Sequence, residues 1–416
     1  MCLLCCSLFD EYGIKYKYSI GIIKGGKMLN IPLMQNNIDK EDINVLVDFL
    51  QSSDRFTNGP KVREFEEAWS KWLGGGYYCV FVNSGSSANY ITMAALKERY
   101  GDGEIIVSPI GWTSDIASVI TAGFKPVFAD VNLCNFALNA DEIESKITSK
   151  TRAVLLTHVL GYNGLSDKII DICRNKNITL IEDTCESHGA VFRGKKCGSF
   201  GDISNFSFYY AHHMSTIEGG MICTKDKEMY RLMRMIRSHG MLRECDDESY
   251  MADTAKKYPE VHPEFLFTVP GFNMRSTELN AVIGLNQLKR LDANIEKRRE
   301  NYELFINNLD GGKYYTEFAR EGNSNYALVV MPHSSVTGLY DRMIQGFRDQ
   351  HVEFRRGTAG GGNMARQPYI RKRYPNVTPA DYSNAEYIHE NGVYIGNYPD
   401  LPKEKIEGLC GMLNSL

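Results

Sequence analysis

Between Tyr77 and Lys225 short apolar runs alternate with segments whose apolar residues recur at helical spacing. The run Tyr78–Val82 predicts a strand. It leads through Asn83-Ser84-Gly85-Ser86-Ser87 into a helix that runs through Leu96 to Tyr100, with Gly101 placed to end it. Ile105–Val107 predicts the next strand, followed by a helix near Asp115–Thr121 and a strand over Pro126–Val131. Ala153–Thr157 reads as a strand, Asp167–Lys176 as a helix, and Ile178–Glu182 as a strand ending at Asp183. The pattern predicts an α/β fold with a large, mostly parallel sheet flanked by helices. Ligands of such sheets bind beyond the carboxyl ends of the strands, so Ser84–Ser87 and Asp183 are expected to share one crevice.

After Thr277 the helical pattern runs on to Leu309, carrying Lys289, Arg290, Glu296, Lys297, Arg298, Arg299 and Glu300. That charge run reads as a solvated helix face. The rest of the chain mixes short strands and helices and predicts a smaller α/β C-terminal domain, with a flexible loop from Arg356 to Gly362. The expected division is an extension over 1–27, poorly ordered, a large domain over 28–305 and a small domain over 306–416.

Composition narrows the partners. The 416 residues are 43% hydrophobic and 24% charged, with a formal net charge of -4. That is an ordinary globular balance, and it argues against nucleic acid or an anionic membrane surface as a partner drawn by bulk charge. No stretch reaches the apolar length of a membrane span. The 11 cysteines are scattered apart from Cys2, Cys5 and Cys6, and the odd total fits reduced thiols of a cytoplasmic protein.

Three segments could carry chemistry. The small-residue turn Asn83–Ser87 offers backbone N–H groups and hydroxyls at a positive helix end, which suits a phosphate or serves only as a helix cap. In Glu182-Asp183-Thr184-Cys185-Glu186-Ser187-His188-Gly189, the carboxylate at the strand end could hold a protonated ring nitrogen or cap a turn. The third segment is Phe206-Ser207-Phe208-Tyr209-Tyr210-Ala211-His212-His213-Met214-Ser215-Thr216-Ile217-Glu218-Gly219-Gly220. Neighbours on a strand face opposite ways, so its two histidines are not expected to share a metal ion. One should be functional and the other structural, and no metal site is expected.

In this order and spacing the three segments, together with Gly271-Phe272-Asn273-Met274-Arg275-Ser276-Thr277-Glu278-Leu279, resemble the sugar aminotransferase and dehydratase family of fold-type I pyridoxal-phosphate enzymes. The resemblance runs from about Ile31 to the C-terminal end. It implies that Gly85, Ser86 and Ser207 bind the cofactor phosphate and that Trp112 stacks on the pyridine ring. It implies that Asp183 pairs with the ring nitrogen, that Glu186 also lines the cofactor, and that Asn273 reaches the cofactor of a neighbouring subunit. A homodimer with shared active sites follows from that last role.

One departure from the family matters most. Where the aminotransferases carry the lysine that anchors pyridoxal 5'-phosphate, this chain has His212, and no lysine occurs between Lys196 and Lys225. Covalent anchoring at this position is lost, while an imidazole can still move a proton near neutral pH. The substitution marks the 3-dehydratase branch. That branch implies L-glutamate as amino donor, a pyridoxamine 5'-phosphate form of the cofactor, and a nucleotide-linked 4-keto-6-deoxyhexose substrate of the GDP-4-keto-6-deoxymannose type, consumed with release of ammonia in deoxysugar synthesis for surface polysaccharide. After His239 only Cys245 and Cys410 remain, so the iron–sulfur cluster of one dehydratase type is not expected. His239 resembles a second active-site histidine, against a purely structural role. An aminotransferase using a histidine, and a non-catalytic cofactor-binding regulator, remain the alternatives.

Overall fold

The computed structural model describes residues 28–35, 37–358 and 360–416. The expected extension over 1–27, with Cys2, Cys5 and Cys6, lies outside the described residues. The strands in chain order are β1 (Tyr78–Val82), β2 (Glu104–Val107), β3 (Lys125–Phe128), β4 (Thr151–Thr157), β5 (Thr179–Asp183), β6 (Val191–Phe192), β7 (Lys195–Lys196), β8 (Ile203–Ser207), β9 (Gly220–Thr224), β10 (Ala327–Val330), β11 (Phe354–Arg356) and β12 (Val393–Gly396).

The main sheet has seven strands in the order β1-β9-β8-β5-β4-β2-β3. Strand β9 is antiparallel to both of its neighbours, and the pairs from β8 to β3 are parallel. Strands such as β2 and β8 are buried along their whole length, as expected where helices cover both faces. The helix Gly85–Tyr100 ends where the sequence places its stop: Gly101 has φ +67° and donates its N–H to the Lys97 carbonyl. That left-handed backbone favours glycine.

The pattern after Thr277 folds differently from the single long helix expected. It forms two helices, Glu278–Leu288 and Leu291–Asn308. Arg290 breaks the run with φ -112° and ψ 1°, and its guanidinium is turned onto the Asn37 carbonyl at 3.1 Å and the buried Asp42 carboxylate. Nor is the charge run wholly solvated. Arg298 is 1% exposed and donates to the Tyr326 carbonyl at 3.0 Å and to the Asn397 carbonyl.

The C-terminal part is built on a three-stranded antiparallel sheet, β10-β12-β11. The first described residues join it: Asn30 and Ile31 donate backbone N–H groups to the Gln350 and His351 carbonyls, and Ile31 bridges Val352. One apolar core runs through both parts, from Val80 and Ile105 to Val329 and Ile395. The glycine-rich loop expected to be flexible is packed against the segment that follows β2. A Cβ on Gly360 would stand 2.1 Å from the Gly111 carbonyl, and Met364 donates its N–H to the Pro109 carbonyl at 2.8 Å. Among the described residues no helix is long and apolar enough to cross a membrane.

Candidate active site

Asn83–Ser87 is the turn between β1 and the helix Gly85–Tyr100. Ser84 caps that helix by accepting the Ser87 N–H at 3.0 Å, which leaves the N–H groups of Gly85 and Ser86 at the open helix end. The Ser86 side chain is partly exposed. Gly85 lies against Ser207 at the end of β8: a Cβ there would meet the Ser207 Cβ at 2.5 Å and its hydroxyl at 3.0 Å. Gly220, at the start of β9, is as close, with 2.3 Å between an added Cβ and the Ser84 carbonyl. Backbone N–H groups and two hydroxyls thus surround a cradle whose close approaches only glycine permits, at the positive end of a helix.

One helical turn further on, Asn89 holds Asp183. Its Nδ2 donates to Asp183 Oδ2 at 2.8 Å, and the Cys185 N–H donates to Asp183 Oδ1 at 3.0 Å. The same Nδ2 lies 3.1 Å from Asp115 Oδ1, while Thr157 donates its hydroxyl to Asp115 Oδ2 at 2.9 Å. Burial first, and then the Asp183 carboxylate, push Asp115 well above the usual carboxyl range. Asp115 thus favours its protonated form. Glu186 accepts the Leu160 N–H at 2.8 Å, and burial raises its pKa to about 7. An open helix end whose next turn holds a buried carboxylate through Asn89 suits pyridoxal phosphate, whose phosphate and basic ring nitrogen lie at opposite sides of the ring.

His212 and His213 lie in the turn after β8, not on a strand as the sequence suggested. The two side chains differ in their contacts. His213 Nε2 is bonded to the Ser324 carbonyl at 2.8 Å and faces the Ser324 hydroxyl at 2.9 Å. His212 Nδ1 has no hydrogen-bond partner among the described residues. The His212 ring is 5.5 Å from the Tyr326 ring, 6.0 Å from Tyr209 and 6.3 Å from His188. Burial, followed by the Arg298 guanidinium, pushes His212 down to about 3. Its imidazole is therefore unprotonated at physiological pH.

The remaining sequence candidates lie at the surface of the single chain. Trp112, at the start of the helix Thr113–Thr121 that also carries Asp115, is 53% exposed. His239 is exposed, has φ +63° and donates its N–H to the Phe272 carbonyl at 2.7 Å. Asn273 is exposed and accepts from Arg275 Nε at 3.1 Å. The last two share one surface segment, because Ser238 bridges Asn273.

Sequence reasoning missed Asn89, Asp115, Tyr326 and Arg298. Asp115 was visible only as a first-turn helix residue three places after Trp112. Arg298 was hidden in a charge run, and Tyr326 reaches the site from the C-terminal part. His158, Glu182 and Cys197 lie within 4.8 Å of one another. The protein itself accounts for them: Glu182 accepts from His158 Nε2 and from the N–H groups of Gly198, Phe200 and Gly201, and His158 Nδ1 accepts from Gly164.

Comparison with known proteins agrees with this geometry. The GDP-4-keto-6-deoxy-D-mannose 3-dehydratase of Yersinia pseudotuberculosis is 30% identical over 395 residues, covering 93% of this chain and 98% of that one. The GDP-perosamine synthase of Caulobacter vibrioides is 33% identical, with 86% and 90% covered. A solved E. coli GDP-4-keto-6-deoxy-D-mannose-3-dehydratase with bound hydrated PLP superposes with a TM-score of 0.83 at 28% identity, over 93% of this chain and 100% of that one. A second structure of such a dehydratase, with a trapped PLP-glutamate geminal diamine, gives a TM-score of 0.82 at 28% identity, over 92% and 100%. The family profile matches residues 36–414, and the chain belongs to the DegT/DnrJ/EryC1/StrS aminotransferase family.

Proposed function

We propose that this chain is a pyridoxal-phosphate-dependent 3-dehydratase of a nucleotide-linked 4-keto-6-deoxyhexose, of the GDP-4-keto-6-deoxymannose type, with L-glutamate as amino donor. The observation that carries this reading is His212: a neutral imidazole with a free Nδ1 stands where a lysine would anchor the cofactor, and no lysine occurs between Lys196 and Lys225. The dehydratases among the relatives support it.

When bound, the cofactor supplies an amine exchangeable with glutamate and a ring that withdraws electrons. The chain's residues do the rest. Gly85, Ser86 and Ser207 hold the phosphate, and Trp112 covers one ring face. Asp183, oriented by Asn89, binds the protonated ring nitrogen. Glu186 lines the same cavity. His212 removes a proton beside the reacting carbon and returns one to the departing 3-hydroxyl. Asn273 and His239 complete the site of a partner subunit in a homodimer. Free cysteines among the described residues support a cytoplasmic location.

The GDP-perosamine synthase relative favours a second reading, transamination of a similar substrate. Incubation with L-glutamate and GDP-4-keto-6-deoxymannose, followed by product mass spectrometry, separates the two. A 3-deoxy sugar with free ammonia supports dehydration, and an amino sugar that retains its 3-hydroxyl contradicts it.

A further inference from the structure

Cys79 on β1 and Cys223 on β9 are direct register partners across an antiparallel pair, and their sulfur atoms lie 3.4 Å apart. The type of pairing follows from neighbouring contacts. On β1 the Phe81 N–H is taken by Glu66 at 2.8 Å, and the Phe81 carbonyl accepts from Arg237 at 3.0 Å. The Tyr77 N–H and carbonyl likewise face Ser70. Residues 77 and 81 therefore turn their peptide groups away from β9, and Cys79, of the same parity, does too. Cys79 and Cys223 thus occupy a non-hydrogen-bonded position, where opposed α-carbons stand about 4.5 Å apart. That spacing lies within the range of about 4.4–6.8 Å that a disulfide spans.

The two thiols have little else to do. They are 5% and 1% exposed and belong to the apolar cluster around Trp69 and Phe206. A surface cleft of about 440 Å³, bordered by Arg63, Glu66, Ser70, Tyr78 and Tyr230, reaches Cys79.

We propose that Cys79 and Cys223 are an oxidisable pair that a peroxide converts to a cross-strand disulfide within the intact fold. The Cys79 thiol attacks the peroxide O–O bond, giving a sulfenic acid and water. The Cys223 thiol then displaces the sulfenic hydroxyl as a second water, and the S–S bond forms. Two thiols lose two electrons and two protons, and the peroxide takes both. A small neutral oxidant is required because the pair lies in an apolar cluster, and the attack is slow because the thiolate is the nucleophile and burial pushes the Cys79 thiol well above the ordinary cysteine range. The bond would tie β1, which leads through Asn83 to Ser84 and Gly85 of the cradle, to β9, which begins at Gly220 beside them, across a separation of 144 residues. This inference is independent of the dehydratase reading.

The test treats the full chain with hydrogen peroxide under native conditions, alkylates remaining thiols in denaturant, digests without reductant and maps the peptides. The expected result is a peptide pair joining Cys79 to Cys223, with loss of both alkylatable thiols and their recovery after dithiothreitol. Cys223→Ala should abolish the cross-link and drive Cys79 to sulfinic acid. Recovery of Cys79 and Cys223 as free thiols, or of Cys79 joined to a different cysteine, would overturn the proposal. Because the wild-type chain decides the outcome, failure of the variant to fold does not protect it.

Discussion

Asp115 and Asp183 share one amide group: Asn89 Nδ2 lies 3.1 Å from Asp115 Oδ1 and 2.8 Å from Asp183 Oδ2. Two buried carboxylates this close cannot both be charged at little cost, and burial together with the Asp183 carboxylate raises Asp115 well above the usual carboxyl range. Asp115→Asn should therefore leave pyridoxal-phosphate affinity within a few-fold of the parent. Asp183→Asn removes a charged hydrogen bond to the ring nitrogen, and affinity should drop by ~10–100-fold. Absorbance titration with the cofactor measures both, and equal losses would place the functional anion on Asp115 instead.

Glu186 makes the stability of the cofactor-free chain depend on pH. Its folded pKa of about 7 lies above the ordinary 4.5, so the folded chain holds a proton that the unfolded chain releases. The resulting stabilisation is complete below about pH 4.5 and is lost as pH rises through 7, on the order of 3 kcal/mol in all. Urea unfolding of Glu186→Gln should lack this fall between pH 5 and 7.5. An identical slope in parent and variant would show that Glu186 is ionised throughout.

Much of the site was readable because its parts sit at strand ends. Tyr78–Val82, the helix ending at Gly101 and the strand ending at Asp183 all follow from local apolar spacing and a glycine stop. The phosphate cradle was legible for the same reason. What was missed depends on contacts between segments far apart in the chain. Nothing near Arg298 signals that Tyr326 and Asn397 carbonyls will bury it, and nothing near Lys289 signals that Arg290 will leave the helix for Asp42. Helical periodicity alone favoured one continuous helix there, and a tertiary ion pair broke it.

Assembly gives a third test. Phe265, Phe267 and Phe272 are 60%, 54% and 37% exposed in the single chain, in the segment that carries Asn273. Aromatic side chains grouped on a surface favour burial against a partner. Sedimentation should show a dimer. Phe267→Glu should yield monomer, with activity lower by at least about tenfold. Full activity in a demonstrated monomer would remove Asn273 from the shared site.

The absence of an anchoring lysine is testable on the resting enzyme. Borohydride treatment of the pyridoxal-phosphate complex should leave the polypeptide mass unchanged, because the aldehyde is not bonded to the chain. A stable mass increase on a lysine would show covalent attachment elsewhere.

The most direct measurement is ammonia released per keto-sugar consumed, compared between the parent and His212→Asn. Asparagine is polar and of similar size, so the contacts at Asp183 and Ser207 should survive while the proton carrier is lost. The parent should release ammonia in step with substrate consumption, and the variant should be slower by about 10²–10⁴-fold with its cofactor still bound. Ammonia release at the parental rate by His212→Asn would contradict the account and move the proton transfer to another group, with His239 the first to examine.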